Sequence, residues 1–68
     1  MNRYFIEVTS IRGFKTLINV DKITNIVEDV GKGKSTTITI FFSTDDYVIV
    51  NTTLDAFKDI LRNSSAWN

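Results

Sequence analysis

Ser35-Thr36-Thr37-Ile38-Thr39-Ile40-Phe41-Phe42-Ser43 is the longest run in this chain free of charge, Gly and Pro. Nearly every residue in it is β-branched or aromatic, which suits a pleated, packed surface better than a helix. Strand alternation puts Ile38, Ile40 and Phe42 on one face and Thr37, Thr39 and Phe41 on the other. Left in water, such a segment seeds aggregation. It is therefore expected inside a sheet or at a subunit interface, with the rest of the chain arranged to cover it.

Working outward, Thr44-Asp45-Asp46 reads as a turn built on Asp side chains that bond nearby amides. Tyr47 to Asn51 follows as a short last strand, apolar on both faces at Val48, Ile49 and Val50. On the other side, Gly31-Lys32-Gly33-Lys34 has nothing to bury and reads as a hairpin loop. Before it, Ile23, Ile26 and Val27 have the spacing of one helical turn, whereas Ile26, Glu28 and Val30 suit a strand. A short turn at Asn19 to Lys22 and a strand from about Ile23 to Val30 is the favoured reading. Nearer the start, Tyr4, Ile6 and Val8 alternate with Phe5, Glu7 and Thr9. After a turn at Arg12-Gly13, Phe14, Thr16, Ile18 and Val20 alternate with Lys15, Leu17 and Asn19, predicting a hairpin.

The last element is helical, over about 53–62. Leu54, Phe57, Ile60 and Leu61 form an apolar stripe about 120° wide. Thr52 or Thr53 can cap it, with Asp55 in the first turn and Arg62 near the end, each at the favourable pole. Asp55–Lys58 and Asp59–Arg62 are i,i+3 pairs worth about 0.2–0.5 kcal/mol each. Residues 1–63 thus form one α+β domain, a small antiparallel β-meander of four to five strands closed by one C-terminal helix. Residues 64–68 are a tail whose Trp67 is costly to leave in water.

At 68 residues the chain buries only about 60% of the surface its unfolded form exposes, so marginal stability is expected. It has no Cys, so neither disulfides nor thiolate zinc sites reinforce it, and no His. Self-association is the reinforcement left. Eight basic and eight acidic residues cancel, which gives no general reason to seek nucleic acid or an anionic membrane. Glu7 interrupts what would be the apolar core of a signal peptide, and no apolar run approaches the roughly 20 residues of a membrane span. A cytoplasmic protein, of a bacterial cell or encoded by a phage, is the expectation.

For chemistry, the acids fall at turns or on opposite faces of strands: Glu28-Asp29 points two ways, and Asp45-Asp46 looks like turn chemistry. No acid–base pair follows. No catalytic residue, metal set or cofactor is assigned. Gly31-Lys32-Gly33-Lys34 lacks the phosphate-loop spacing and precedes a strand rather than a helix, so it reads as a solvated hairpin tip. Basic and aromatic residues do lie together at strand ends and turns. Arg3, Arg12, Lys15, Lys32 and Lys34 could hold phosphates, with Tyr4, Phe14 and Tyr47 stacking bases; the plainer reading makes the rings core. A chain this small would place such a site between subunits. Phe41, Phe42 and Trp67 are the candidate oligomer-interface residues.

From Phe5 to Leu61 the order of features resembles the short FlbD (SwrD-type) flagellar proteins. The matching residues are Ile6-Glu7-Val8-Thr9, Ile11-x-Gly13, Leu17-Ile18-Asn19-x-x-x-Ile23-x-x-Ile26, Thr37-x-Thr39-Ile40, Val48-x-Val50 and Thr53-Leu54-x-x-Phe57. The chain departs from that pattern at the Gly31–Lys34 hairpin and at Asp45-Asp46, where Gly is usual. The resemblance implies a non-enzymatic adaptor. Two functions are carried forward. One is a homo-oligomeric interaction module that binds a protein partner through its sheet or helix. The other is a phage anti-defence protein that sequesters a nucleotide signal at a subunit interface; single-stranded nucleic acid ranks third, because the chain has no net charge.

Overall fold

The computed structural model describes residues 5–31 and 35–63. Five strands are present, β1 (Phe5–Thr9), β2 (Lys15–Asn19), β3 (Asn25–Val30), β4 (Thr36–Phe41) and β5 (Tyr47–Val50), followed by helix α1 (Leu54–Asn63). The fold is the small α+β arrangement expected. All strand pairs are antiparallel: β1 with β2, and β3-β4-β5 in that order.

The strands do not run as one uninterrupted meander, because β2 and β3 are not neighbours. Val20–Lys22 forms a single 3-10 turn capped by Asn19, whose Oδ1 accepts from Asp21 N at 3.0 Å. That turn carries the chain away from β2, and pairing resumes where Thr24 N donates to Phe41 O. Ile23 is taken up by the turn, so β3 begins at Asn25 rather than Ile23. The two sheets meet instead where β1 runs on past its end. Ser10 bridges Val50, and Ile11 N donates to Ile49 O at 2.9 Å.

The hairpin joining β1 and β2 has a three-residue loop, Ile11-Arg12-Gly13. Gly13 N donates to Ser10 O, Ser10 N donates to Phe14 O, and Gly13 has φ +90. This is a turn closed by a bulge whose last loop position requires left-handed backbone. A Cβ at Gly13 would meet nothing within 4 Å, so any cost of substitution is conformational. Gly13→Ala is expected to lower stability by about 1–2 kcal/mol in a urea melt, and Gly13→Asn by less.

Ile6, Val8, Ile18, Ile38, Ile40, Val50 and Phe57 form the core. They come from the inward faces of both sheets and from one side of the helix, and each aliphatic contributes about 1.5–3 kcal/mol of burial. Val20, Ile23, Ile26, Phe42, Val48, Leu54 and Leu61 pack around them. Ile60 belongs to the predicted stripe but is 43% exposed. At roughly 100° per residue it lies about 120° round the helix from Leu54, and the helix rests on its Leu54–Phe57–Leu61 side. The core is narrower than the stripe.

Thr53 caps α1, its Oγ1 accepting from Ala56 N at 3.0 Å. A second acceptor comes from another element: Glu28 on β3 takes the Leu54 N–H through Oε2 at 2.9 Å. The carboxylate fixes the helix start to the sheet and sits at the favourable pole of the dipole. Glu28→Ala is expected to cost about 1 kcal/mol, and Glu28→Gln, which keeps an acceptor oxygen, less; urea melts of both variants check this. By contrast, the Asp55–Lys58 and Asp59–Arg62 pairs at 3.9 and 2.7 Å are well exposed and contribute little.

Candidate interaction surface and groove

Burial of Ile38 and Ile40 fixes the direction of the whole three-stranded sheet. Register places Ile40 beside Ile26 and Val48, and Ile38 beside Glu28 and Val50. Those residues face the core and helix. The alternate set faces away: Asn25, Val27 and Asp29 from β3, Thr37, Thr39 and Phe41 from β4, and Tyr47 and Ile49 from β5. Two full cross-strand rows result, Asn25–Phe41–Tyr47 and Val27–Thr39–Ile49. The Phe41 and Tyr47 rings are 5.5 Å apart and tilted by 55°.

Among these outward residues the only charge is Asp29, at one corner. Val27, on edge strand β3, is 48% exposed, and Tyr47, on edge strand β5, is 53% exposed. A face with exposed apolar side chains and a single charge at its corner is a candidate interaction surface.

Beside it lies a groove of about 420 Å³ between the Ser10–Gly13 turn, the start of β2 and the Tyr47–Ile49 stretch of β5. Ile11, Arg12 and Phe14 form one wall, and Tyr47, Val48 and Ile49 the other, with Ser10 and Thr16 completing the lining. The groove exists because Ser10 and Ile11 pair with only one end of β5, so on the edge away from β4 the Tyr47 end has no strand beside it among the described residues. The Arg12 guanidinium carbon is 5.9 Å from the centre of the Phe14 ring, within cation–π range. Tyr47 belongs to both the groove and the outer face, making the two continuous.

The residues singled out by sequence are dispersed accordingly. Arg12, Phe14 and Tyr47 come together in this groove. Lys15 does not join them; it lies with Glu7 and Leu17 along a separate shallow groove of about 260 Å³. Arg3, Tyr4, Lys32, Lys34 and Trp67 lie outside the described residues. Phe41 is on the outer face with Tyr47, whereas Phe42 packs against the protomer's own core. A further groove, lined in part by Phe5, Leu17, Lys22, Phe42 and Asp46, opens beside β2.

Val27, Ile49, Ile11 and Ser10 were not singled out. For Val27 and Ile49 the signal is cross-strand register, which needs the pairing partner. For Ser10 and Ile11 it is the bridge to β5, a long-range contact with no local mark. Among the described residues no three acidic side chains converge on one point, and no helix is long and apolar enough to cross a membrane. No family model, curated protein or solved structure matches the chain.

Proposed function

We propose that this chain is a small non-enzymatic interaction module that pairs with a copy of itself through the outer face of β3-β4-β5, and in that form presents its remaining surface to a protein partner. The observation that carries the reading is that face: apolar and hydroxyl side chains across three strands, with a single corner charge. Two copies related by a two-fold axis would bring identical faces together without like-charge repulsion at the centre. Sheets stacked in this way lie about 10 Å apart and form a sandwich core. An adaptor role is also what the resemblance to FlbD-type proteins implies. Absence of Cys agrees with work in a reducing cytosol, bacterial or phage-encoded.

Size-exclusion chromatography with light scattering over the micromolar range tests the reading. A mass that rises with concentration toward two chains supports it, and one chain at every concentration overturns it.

A second reading, capture of a nucleotide signal by a phage anti-defence protein, draws on one observation. Arg12, Phe14 and Tyr47 line the same groove at the rim of the proposed interface. A rise in melting temperature with a nucleotide supports it, since ligand bound only to the folded state stabilises that state.

A further inference from the structure

The geometry points to a ligand class for that groove: we propose that it takes a nucleoside monophosphate, with the phosphate on Arg12 and Ser10 and the base against Phe14 and Tyr47. This rests on the nucleotide reading above and narrows it to one place and one phosphate.

Charge sets the sign of the ligand. Among the described residues, Arg12 is the only ionic side chain lining the groove, and no carboxylate lines it. A guanidinium offers a planar fork of donors that matches phosphate oxygens. Hydroxyl bookkeeping supplies a second donor. Ser10 Oγ accepts from Phe14 N at 3.3 Å, and its own proton goes to no protein acceptor among the described residues. The Thr16 hydroxyl, in contrast, is committed to Phe14 O at 3.2 Å. The free donor therefore lies on the same turn as Arg12, two residues away.

The rings set the other half of the ligand. Phe14 is 63% exposed and Tyr47 53%, on opposite walls, and each offers a face on which a base can stack. Size and charge together set the number of phosphates. About 420 Å³ is at the small end of ligand sites, which run from roughly 300 to 1,000 Å³. Among the described residues, with Lys15 on a different groove, Arg12 alone brings positive charge to this one, which matches one phosphate group.

The test is a titration of the isotope-labelled full chain with AMP, followed by amide chemical shifts, with adenosine and inorganic phosphate as separate arms. Shifts at Ser10 to Phe14 and at Tyr47 with AMP are expected, adenosine moving mainly Phe14 and Tyr47. Arg12→Gln, an exposed change, should weaken AMP about tenfold, as loss of one charge-assisted contact does, and weaken adenosine much less; equal weakening of both would place the phosphate elsewhere. Absence of shifts with AMP at millimolar concentration, or shifts confined to other residues, overturns the proposal. If a dinucleotide shifts these residues and AMP does not, the one-phosphate assignment fails while the nucleotide reading stands. If no nucleotide shifts anything, both fall.

Discussion

Replacing Phe57 by alanine is expected to leave a chain that is largely unfolded at room temperature. Among the described residues, Phe57 is the largest fully buried side chain and the only residue of α1 in the central core cluster. It shares one cluster with Ile38 and Ile40 of β4 and with Ile6, Val8 and Ile18 of the hairpin. Truncating a buried Phe to Ala costs about 3–5 kcal/mol, part lost transfer energy and part cavity. A domain of this length has only about 3–10 kcal/mol in total, at the usual stability per residue. The loss therefore consumes about a third of the total at the upper bound and all of it at the low stability expected for so short a chain. Urea melts followed by circular dichroism would show a midpoint near zero denaturant. Phe57→Leu, which keeps most of the volume, should retain a cooperative transition. An unchanged midpoint for Phe57→Ala would mean that the helix is not fixed to the sheet as described.

A lysine at Thr39 should have its large effect elsewhere, on association. Thr39 occupies the middle of the middle strand, between Val27 and Ile49 on the outer face. In a free protomer its side chain points to water, so Thr39→Lys should change the urea midpoint little. In a face-to-face pair the ammonium would lose its hydration with no acid opposite, and its symmetry mate would stand nearby. Burying an uncompensated charge costs several kcal/mol, so the dissociation constant should rise by a factor on the order of a hundred or more. Leu17→Lys, on the outward side of the β1–β2 hairpin, is the matched control and should leave association unchanged. Sedimentation velocity at a few concentrations separates the two. Equal weakening by both variants would move the interface away from β3-β4-β5.

How much of this could be read from the chain follows from the range of each interaction. Alternation through β4 is local, and it put Ile38 and Ile40 together on one face; that this face is the buried one depends on the helix and hairpin packed against it. The Asn19–Lys22 turn and the helix start were legible because Asn19 and Thr53 act on amides two or three residues away. The break between β2 and β3 was not, since it depends on Thr24 finding Phe41 seventeen residues on. Nor was the role of Glu28. It looks like an ordinary solvated strand residue until Leu54, twenty-six positions later, is brought to it. The Tyr47–Val50 stretch is apolar on both sides, so no periodicity says which face is inward; pairing of Val48 with Ile40 decides it. Ile60 shows the converse, a residue in helical phase that the small core does not reach. The groove escaped for the same reason as the break: Arg12, Phe14 and Tyr47 were recognisable as types, but their meeting depends on the Ser10–Val50 bridge.

The most direct measurement mixes isotope-labelled and unlabelled protein and records only the magnetisation that crosses from one chain to the other. Cross-peaks joining the Val27 and Ile49 methyls of one copy to the Phe41 and Tyr47 rings of another are the predicted result. A spectrum with no such transfer, or with transfer only from Leu17 or Ile60, would contradict it.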